Sequence, residues 1–438
     1  MSKKEKFRFT KKEKSWIMYD WANSVYATNV LAAIFPIYFG NVCKAAGADN
    51  VVLWSYGTSA ATFIVALLAP FLGALGDNKG FKKKFFTAFM FVGVLFTLSC
   101  AFVDNFKLML IGYALSHIGF SGANLFYDAF ITDVTNNERM DRVSSMGYAM
   151  GYIGGSTIPF IGSIVVLVLM GMDNPMAFKV VMMITSLWWF LFSIPFLKNV
   201  HQEYYIEENT GKLISSSFKN LWHTAKNIVE IKGLLIFILA YFFYIDGVNT
   251  VISISTSYGS ILGLNSIMMI LALLVTQIVA VPCSIIFGKL SSKYGSIKML
   301  CYAVGMYILV VTVGFFMGFI IEQNPGSESA LMKSQVLFWV LAFLVGTVQG
   351  GIQAISRSYF GKLIPADRSN EYFGFFDIFG KFAAVIGPLL VAFVKQLTGR
   401  DSVSVISLAI LFTIALVLLI TGRPHFAKAE AEAAKNNN

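Results

Sequence analysis

Tyr19-Asp20-Trp21-Ala22-Asn23-Ser24-Val25 and Ile245-Asp246-Gly247-Val248-Asn249-Thr250-Val251 spell nearly the same phrase, more than two hundred residues apart. Both read D-x-x-N-[S/T]-V, and both lie inside long apolar runs. A carboxylate inside a hydrophobic helix costs about 2.5–3.5 kcal/mol on insertion scales. Carrying that cost at equivalent points of two halves argues for a duplicated membrane protein with a polar centre. Further echoes follow in the same order. Gly73-Ala74-Leu75-Gly76-Asp77-Asn78-Lys79-Gly80-Phe81-Lys82-Lys83 is answered by Gly288-Lys289-Leu290-Ser291-Ser292-Lys293-Tyr294-Gly295-Ser296-Ile297-Lys298. Asp141-Arg142 with Gly147 is answered by Asp367-Arg368 with Gly374, and Pro159 by Pro388.

The composition agrees with a lipid solvent. Of 438 residues 56% are hydrophobic and 13% charged, with a mean hydropathy of +0.68; a soluble surface needs about twice that charge. Twelve apolar runs reach the roughly 20 residues that a helix needs to cross a bilayer: 16–40, 51–76, 85–103, 106–130, 143–170, 178–197, 233–258, 264–290, 297–321, 335–360, 371–396 and 402–421. The runs are continuous and do not alternate, which excludes a strand barrel. The first run is too long for the core of a cleaved signal peptide and reads as a retained helix. An all-α membrane protein follows, with twelve transmembrane helices in two pseudo-symmetric six-helix bundles. Its divisions are residues 1–197 (first bundle), 198–232 (linker), 233–426 (second bundle) and 427–438 (a mobile tail).

The net charge of +10 does not indicate a nucleic-acid partner, because the charges sit in short segments between spans. About 27 of the 34 Lys and Arg fall on one side, and the positive-inside rule then places both termini in the cytoplasm. Lys44, Lys107, Lys179, Lys333, Lys395 and Arg400 lie on the other side. Cys43, Cys100, Cys283 and Cys301 form no C-x-x-C pair and read as small apolar residues, so neither a disulfide framework nor a metal site is expected.

The G-x-L-x-D-x-x-G-x-K-K loop resembles the signature loop of the major facilitator superfamily, and that likeness covers essentially the whole chain. The phrase from Met18 to Tyr26 resembles the first-helix signature of the vacuole-effluxer-like branch, whose fungal autophagy-related members export amino acids from the vacuole. The resemblance implies two six-helix bundles around a central cavity lined mainly by spans 1, 4, 7 and 10, with rocker-switch alternating access. Ser292 stands where the first loop has Asp77, so the charge network is expected to be weaker in the second half.

Candidate residues follow from spacing. Asp20 and Asn23 share one helix face, as do Asp246 and Asn249, and on spans 1 and 7 the two faces are expected to meet across the cavity. Asp20 lies six residues after Lys14, roughly 9 Å along the helix, so it is also placed to cap the basic end. Tyr26 lies deeper. Span 4 carries His117, Asn124 and Asp128; span 10 carries Gln349, Gln353 and Arg357 at four-residue intervals. The substrate contacts expected are Asp20, Asn23, Tyr26, Asn124, Asp246, Asn249, Gln349 and Gln353. The coupling or gating residues expected are Asp77, Asp128, Arg357, Asp377 and Lys381. Two pairings stay open: Asp128 with Arg357 across the halves, or Asp128 or Asp133 with Lys79 or Lys82 inside one half. Asp377 and Lys381 form either an intrahelical ion pair or a proton-sensitive switch. Gly147, Gly151 and Gly155 are packing residues.

These features point to a monomeric secondary transporter of a bacterial inner membrane. It moves a small polar solute, an amino acid or related metabolite, with lipid and protons as its other partners and no cofactor. A drug or sugar exporter of the same fold is the alternative. A channel or membrane receptor is the reading from another class. An enzyme is disfavoured: there is no HExxH and no P-loop, and Asp77 runs straight into Lys79 and Lys82.

Overall fold

The computed structural model describes residues 7–171, 174–207 and 213–436. Its spans are α1 (Lys11–Ala45), α2 (Asn50–Gly76), α3 (Phe81–Ser99), α4 (Phe106–Ala129), α5 (Asn137–Met170) and α6 (Pro175–Asn199), then α7 (Lys232–Ile261), α8 (Ser266–Tyr294), α9 (Ser296–Gln323), α10 (Glu328–Leu363), α11 (Ser369–Thr398) and α12 (Asp401–Thr421). Among the described residues, 11 helices are long and apolar enough to cross a membrane by themselves. The twelfth, α3, opens on Lys82, Lys83 and Lys84 and packs inside the same bundle. Among the described residues, extended pairing is confined to an isolated bridge between Asn78 and Ile206.

Local chemistry sets the helix ends. Thr10 and Glu13 form a capping box at the start of α1, each satisfying a backbone N–H that has no helical partner. Asn105, Asn136, Asn174, Asn265 and Ser327 cap α4, α5, α6, α8 and α10 in the same sense. Both wide, π-type turns precede a proline. The turn at Ala27–Ala33 in α1 precedes Pro36, and that at Tyr152–Thr157 in α5 precedes Pro159. A proline ring displaces the carbonyl four residues back, and the ladder widens to accommodate it.

The two halves pack alike. In the first, α1 packs on α5 and α6, and α4 on α2 and α3; in the second, α7 packs on α11 and α12, and α10 on α8 and α9. The halves meet where α2 crosses α11 and α5 crosses α8, two contacts that exchange under the same two-fold. Small residues permit these crossings: a Cβ on Gly73 would stand 2.4 Å from the Asn370 carbonyl oxygen, and one on Gly288 2.6 Å from the Ser145 Cβ. Phe63, Leu67, Leu169, Ile270, Leu389 and Phe393 stand exposed, as befits a molecule whose solvent is lipid.

A helix, Leu213–Glu230, lies in the expected linker, of which residues 208–212 fall outside the described residues. Of the expected tail, residues 427–436 are described and lie in a helix. Arg423–Asn436 is helical, with Phe426, Ala429 and Ala433 buried, and the Tyr359 hydroxyl on α10 donates to Glu430 at 2.6 Å. The sequence from Phe426 to Ala433 keeps small apolar residues on one side, which lets this helix seat against Gly233 of α7.

Candidate functional site

A cavity of about 590 Å³ lies between the halves. Leu31 of α1, Phe120 and Asp128 of α4, Tyr148 of α5, Tyr241 and Asn249 of α7, and Gln353 and Arg357 of α10 line it. Helix α11 contributes Phe373, Phe376, Asp377, Gly380 and Lys381. The expectation of a cavity built mainly from spans 1, 4, 7 and 10 therefore needs α11 added. Pro388 lies inside that helix, and the segment before it, from Phe373 to Lys381, faces the cavity.

Arg357 forms the floor. Its guanidinium contacts Asp128 at 2.9 Å and Asp20 at 3.1 Å, and donates to the Ser144 hydroxyl at 3.0 Å and carbonyl at 3.1 Å. The Trp16, Tyr148 and Tyr127 rings stand 4.5, 4.6 and 5.4 Å from it. A planar, delocalised cation suits such a cage, because it bonds in its plane and stacks above it. One residue of the second half thereby holds α1, α4 and α5 of the first. Of the two pairings left open, both occur with different acids: Asp128 meets Arg357, while Asp133 meets Lys82 at 2.6 Å within its own half.

Two more clusters join the halves at the same basic end. Asp77 accepts from the backbone N–H groups of Asn370 at 2.9 Å and Glu371 at 3.0 Å, at the start of α11, where these N–H groups have no helical partner. Lys82 donates to Ser369 at 2.8 Å. Burial pushes the Asp77 carboxyl up to about 8, with Glu371 adding to the rise and the Lys82 charge and the Asn370 N–H opposing it. In the second cluster Asp141 of α5 accepts from Ser291 at 2.6 Å, Ser296 at 2.9 Å and Ser358 at 2.7 Å, and pairs with Lys362 at 2.7 Å. The second loop lost its aspartate at Ser292, but the contact survives with its polarity reversed: the helix supplies the acid and the loop the hydroxyls. The echo of Asp141 in Asp367 marked this residue in the sequence, and nothing there showed which serines it would meet.

Several expected substrate contacts lie elsewhere. Asn23 donates to Asn124 at 2.6 Å, tying α1 to α4. Tyr26 is fully buried, bonded to Ser116 at 2.7 Å and stacked on Phe120. Gln349 sits one turn before Gln353 and outside the cavity lining. Asp246 does not meet Asp20. It is wholly buried, and both of its oxygens accept from the Gly387 N–H, at 2.9 and 3.0 Å. Pro388, the next residue, lies inside α11 and has no N–H to give the ladder, and Asp246 takes up the N–H just before it. The matching phrases diverge because α1 and α7 enter the bundle at different registers: Asp20 lies nine residues past the start of its helix and Asp246 fourteen past the start of its own. Asn249 and Gln353 do line the cavity, as do Asp377 and Lys381, which are bonded to each other. The missed lining residues are mostly aromatic, and 18 Tyr and 41 Phe in the chain gave no way to single them out.

A twelve-span duplicated bundle with a polar cavity between its halves defines a membrane transporter of the major facilitator type, not an enzyme. The chain belongs to the vacuole effluxer Atg22-like family, whose model matches residues 10–432. It is 46% identical to the uncharacterized MFS-type transporter YxiO of Bacillus subtilis (strain 168), over 94% of this chain and 95% of that one. It is 23% identical to autophagy-related protein 22 of Pichia angusta, over 86% of this chain and 76% of the relative. Its fold is similar to the human organic anion transporter MFSD10 (TETRAN), with a TM-score of 0.62 at 16% identity, covering 93% of this chain and 99% of that one. It is also similar to the transporter FucP in the outward conformation, with a TM-score of 0.65 at 14% identity, covering 94% and 98%.

Proposed function

We propose that this chain is a secondary active transporter that moves an amino acid or related small polar metabolite across a bacterial inner membrane by alternating access, driven by protons. The observation that carries this reading is the cavity between the halves, floored by Arg357 and its two acids. Residues 1–197 and 233–426 act as the rocking units, and the chain works as a monomer. The basic end, where the three clusters lie, faces the cytoplasm by the positive-inside rule. The cavity is then closed inward, and breaking the clusters is the step that opens it to the cytoplasm.

Arg357 is already held by two carboxylates, which leaves no free guanidinium for a phosphate and disfavours a phosphorylated substrate. Reconstituted protein tests the reading. Labelled amino acids should exchange against unlabelled ones in vesicles, and an imposed pH gradient should drive their accumulation. Exchange without any response to pH removes proton coupling. Flux without exchange turns the reading to a channel. Exchange of sugars or drugs in place of amino acids turns it to the alternative exporter.

A further inference from the structure

We infer that Asp377 and Lys381 of α11 are the docking site for a zwitterion: the substrate's ammonium takes Asp377 and its carboxylate takes Lys381. The inference rests on the amino-acid reading above and assigns the residues that make the choice. Both side chains face the cavity, with 29% and 19% of their surface exposed. They are bonded to each other across one helical turn. Gly380 lies between them in the lining and has no side chain to cover them.

The other charged groups of the lining are committed. Arg357 is held by Asp20, Asp128 and Ser144 inside an aromatic cage. The α11 pair differs in kind. Its two charges are bonded to each other across one turn of a single helix, so opening the pair need not separate the halves. A zwitterion replaces its one bond with two charge-assisted bonds and leaves the net charge of the cavity unchanged. A lone amine or a lone carboxylate opens the same pair but strands one of its charges in a poorly solvated space. The site therefore selects for both charges on one small molecule. Phe120, Tyr241, Phe373 and Phe376 supply an apolar wall close by, which suits an α-amino acid with an apolar side chain. A volume of about 590 Å³ accommodates one such molecule.

Ligand-induced thermal shifts of the purified full chain decide the matter. The probes are leucine and phenylalanine, each with its α-keto acid and its decarboxylated amine. The wild type should prefer the zwitterion. Asp377→Asn should lower zwitterion affinity by about tenfold or more, the value of one charged hydrogen bond, and shift the preference toward the keto acid. Lys381→Gln should shift it toward the amine. The exchange Asp377→Lys with Lys381→Asp should restore zwitterion binding, since a small zwitterion can turn around. Equal losses for all three ligand types, or a double variant that folds but does not recover, would overturn the inference. A wild type that binds no amino acid removes the amino-acid reading and this docking site with it; a wild type that binds while the single variants lose selectivity for neither charge removes the docking site alone. Unliganded melting curves of each variant separate lost binding from lost folding.

Discussion

Arg357 carries the closed floor alone among the lining cations, and its replacement has an unequal cost. Arg357→Gln leaves Asp20 and Asp128, 14% and 35% exposed, without their cation, and should cost less than the roughly 3–5 kcal/mol of a fully buried pair. The loss falls on the closed arrangement, so a cysteine placed at Ser144 should become more reactive to thiol reagents from the basic side. Exchanging Arg357 and Asp128 alone should not rescue transport, because Asp20 would then face an aspartate at 357. Asp246 makes the opposite case. Its partners are the Gly387 backbone N–H and the Thr250 hydroxyl, both of which donate, and an amide oxygen accepts such bonds as well. Asp246→Asn should keep the melting temperature close to wild type, whereas Asp246→Val strands the Gly387 N–H and should cost about 1–3 kcal/mol. A destabilised Asp246→Asn would mean that the carboxylate charge itself holds α11.

At the scale of elements, prolines and glycines decide how the helices bend and how closely they pass. The stripe Gly147, Gly151, Gly155 lets α5 lie against α1: a Cβ on Gly155 would stand 2.1 Å from the Ser24 Cβ and 2.4 Å from its carbonyl carbon. Backbone on both sides leaves nothing flexible to move. Gly155→Ala should therefore lower stability by about 1–3 kcal/mol, read as a fall in melting temperature, while Gly162→Ala, with open space around it, should change little. The close passage also places Gly147 beside the Asp20 carboxylate, so the packing stripe and the floor of the cavity are one construction. The sequence identified the stripe as a packing device. It could not indicate that the partner would be the very helix bearing Asp20.

For the whole molecule, Asp77 links pH to the closed basic end. Its carboxyl is ordinarily near 3.8 and is pushed up to about 8 when buried against α11. The closed state thus holds a proton that an open, solvated Asp77 releases. Its stabilisation is fully present below about 3.8 and is lost progressively as pH rises to about 8. Distances between spin labels on α2 and α11 should lengthen across that window, and Asp77→Asn should flatten the response. A response that survives the substitution would place the sensor elsewhere. The sequence by itself determined the solvent, the number of spans, the duplication and the family likeness, because apolar length, charge asymmetry and repeated phrases are properties of the chain. It also brought out the polar residues from which the floor, the loop contact and the α11 pair are drawn. Only the tertiary structure decided their partners. Two nearly identical phrases became an ion-pair acid in one half and the acceptor of a helix N–H in the other, because a residue's role depends on the depth at which its helix enters and on the group the helix opposite presents. Neither quantity is written in local spacing; both are set by how twelve helices pack.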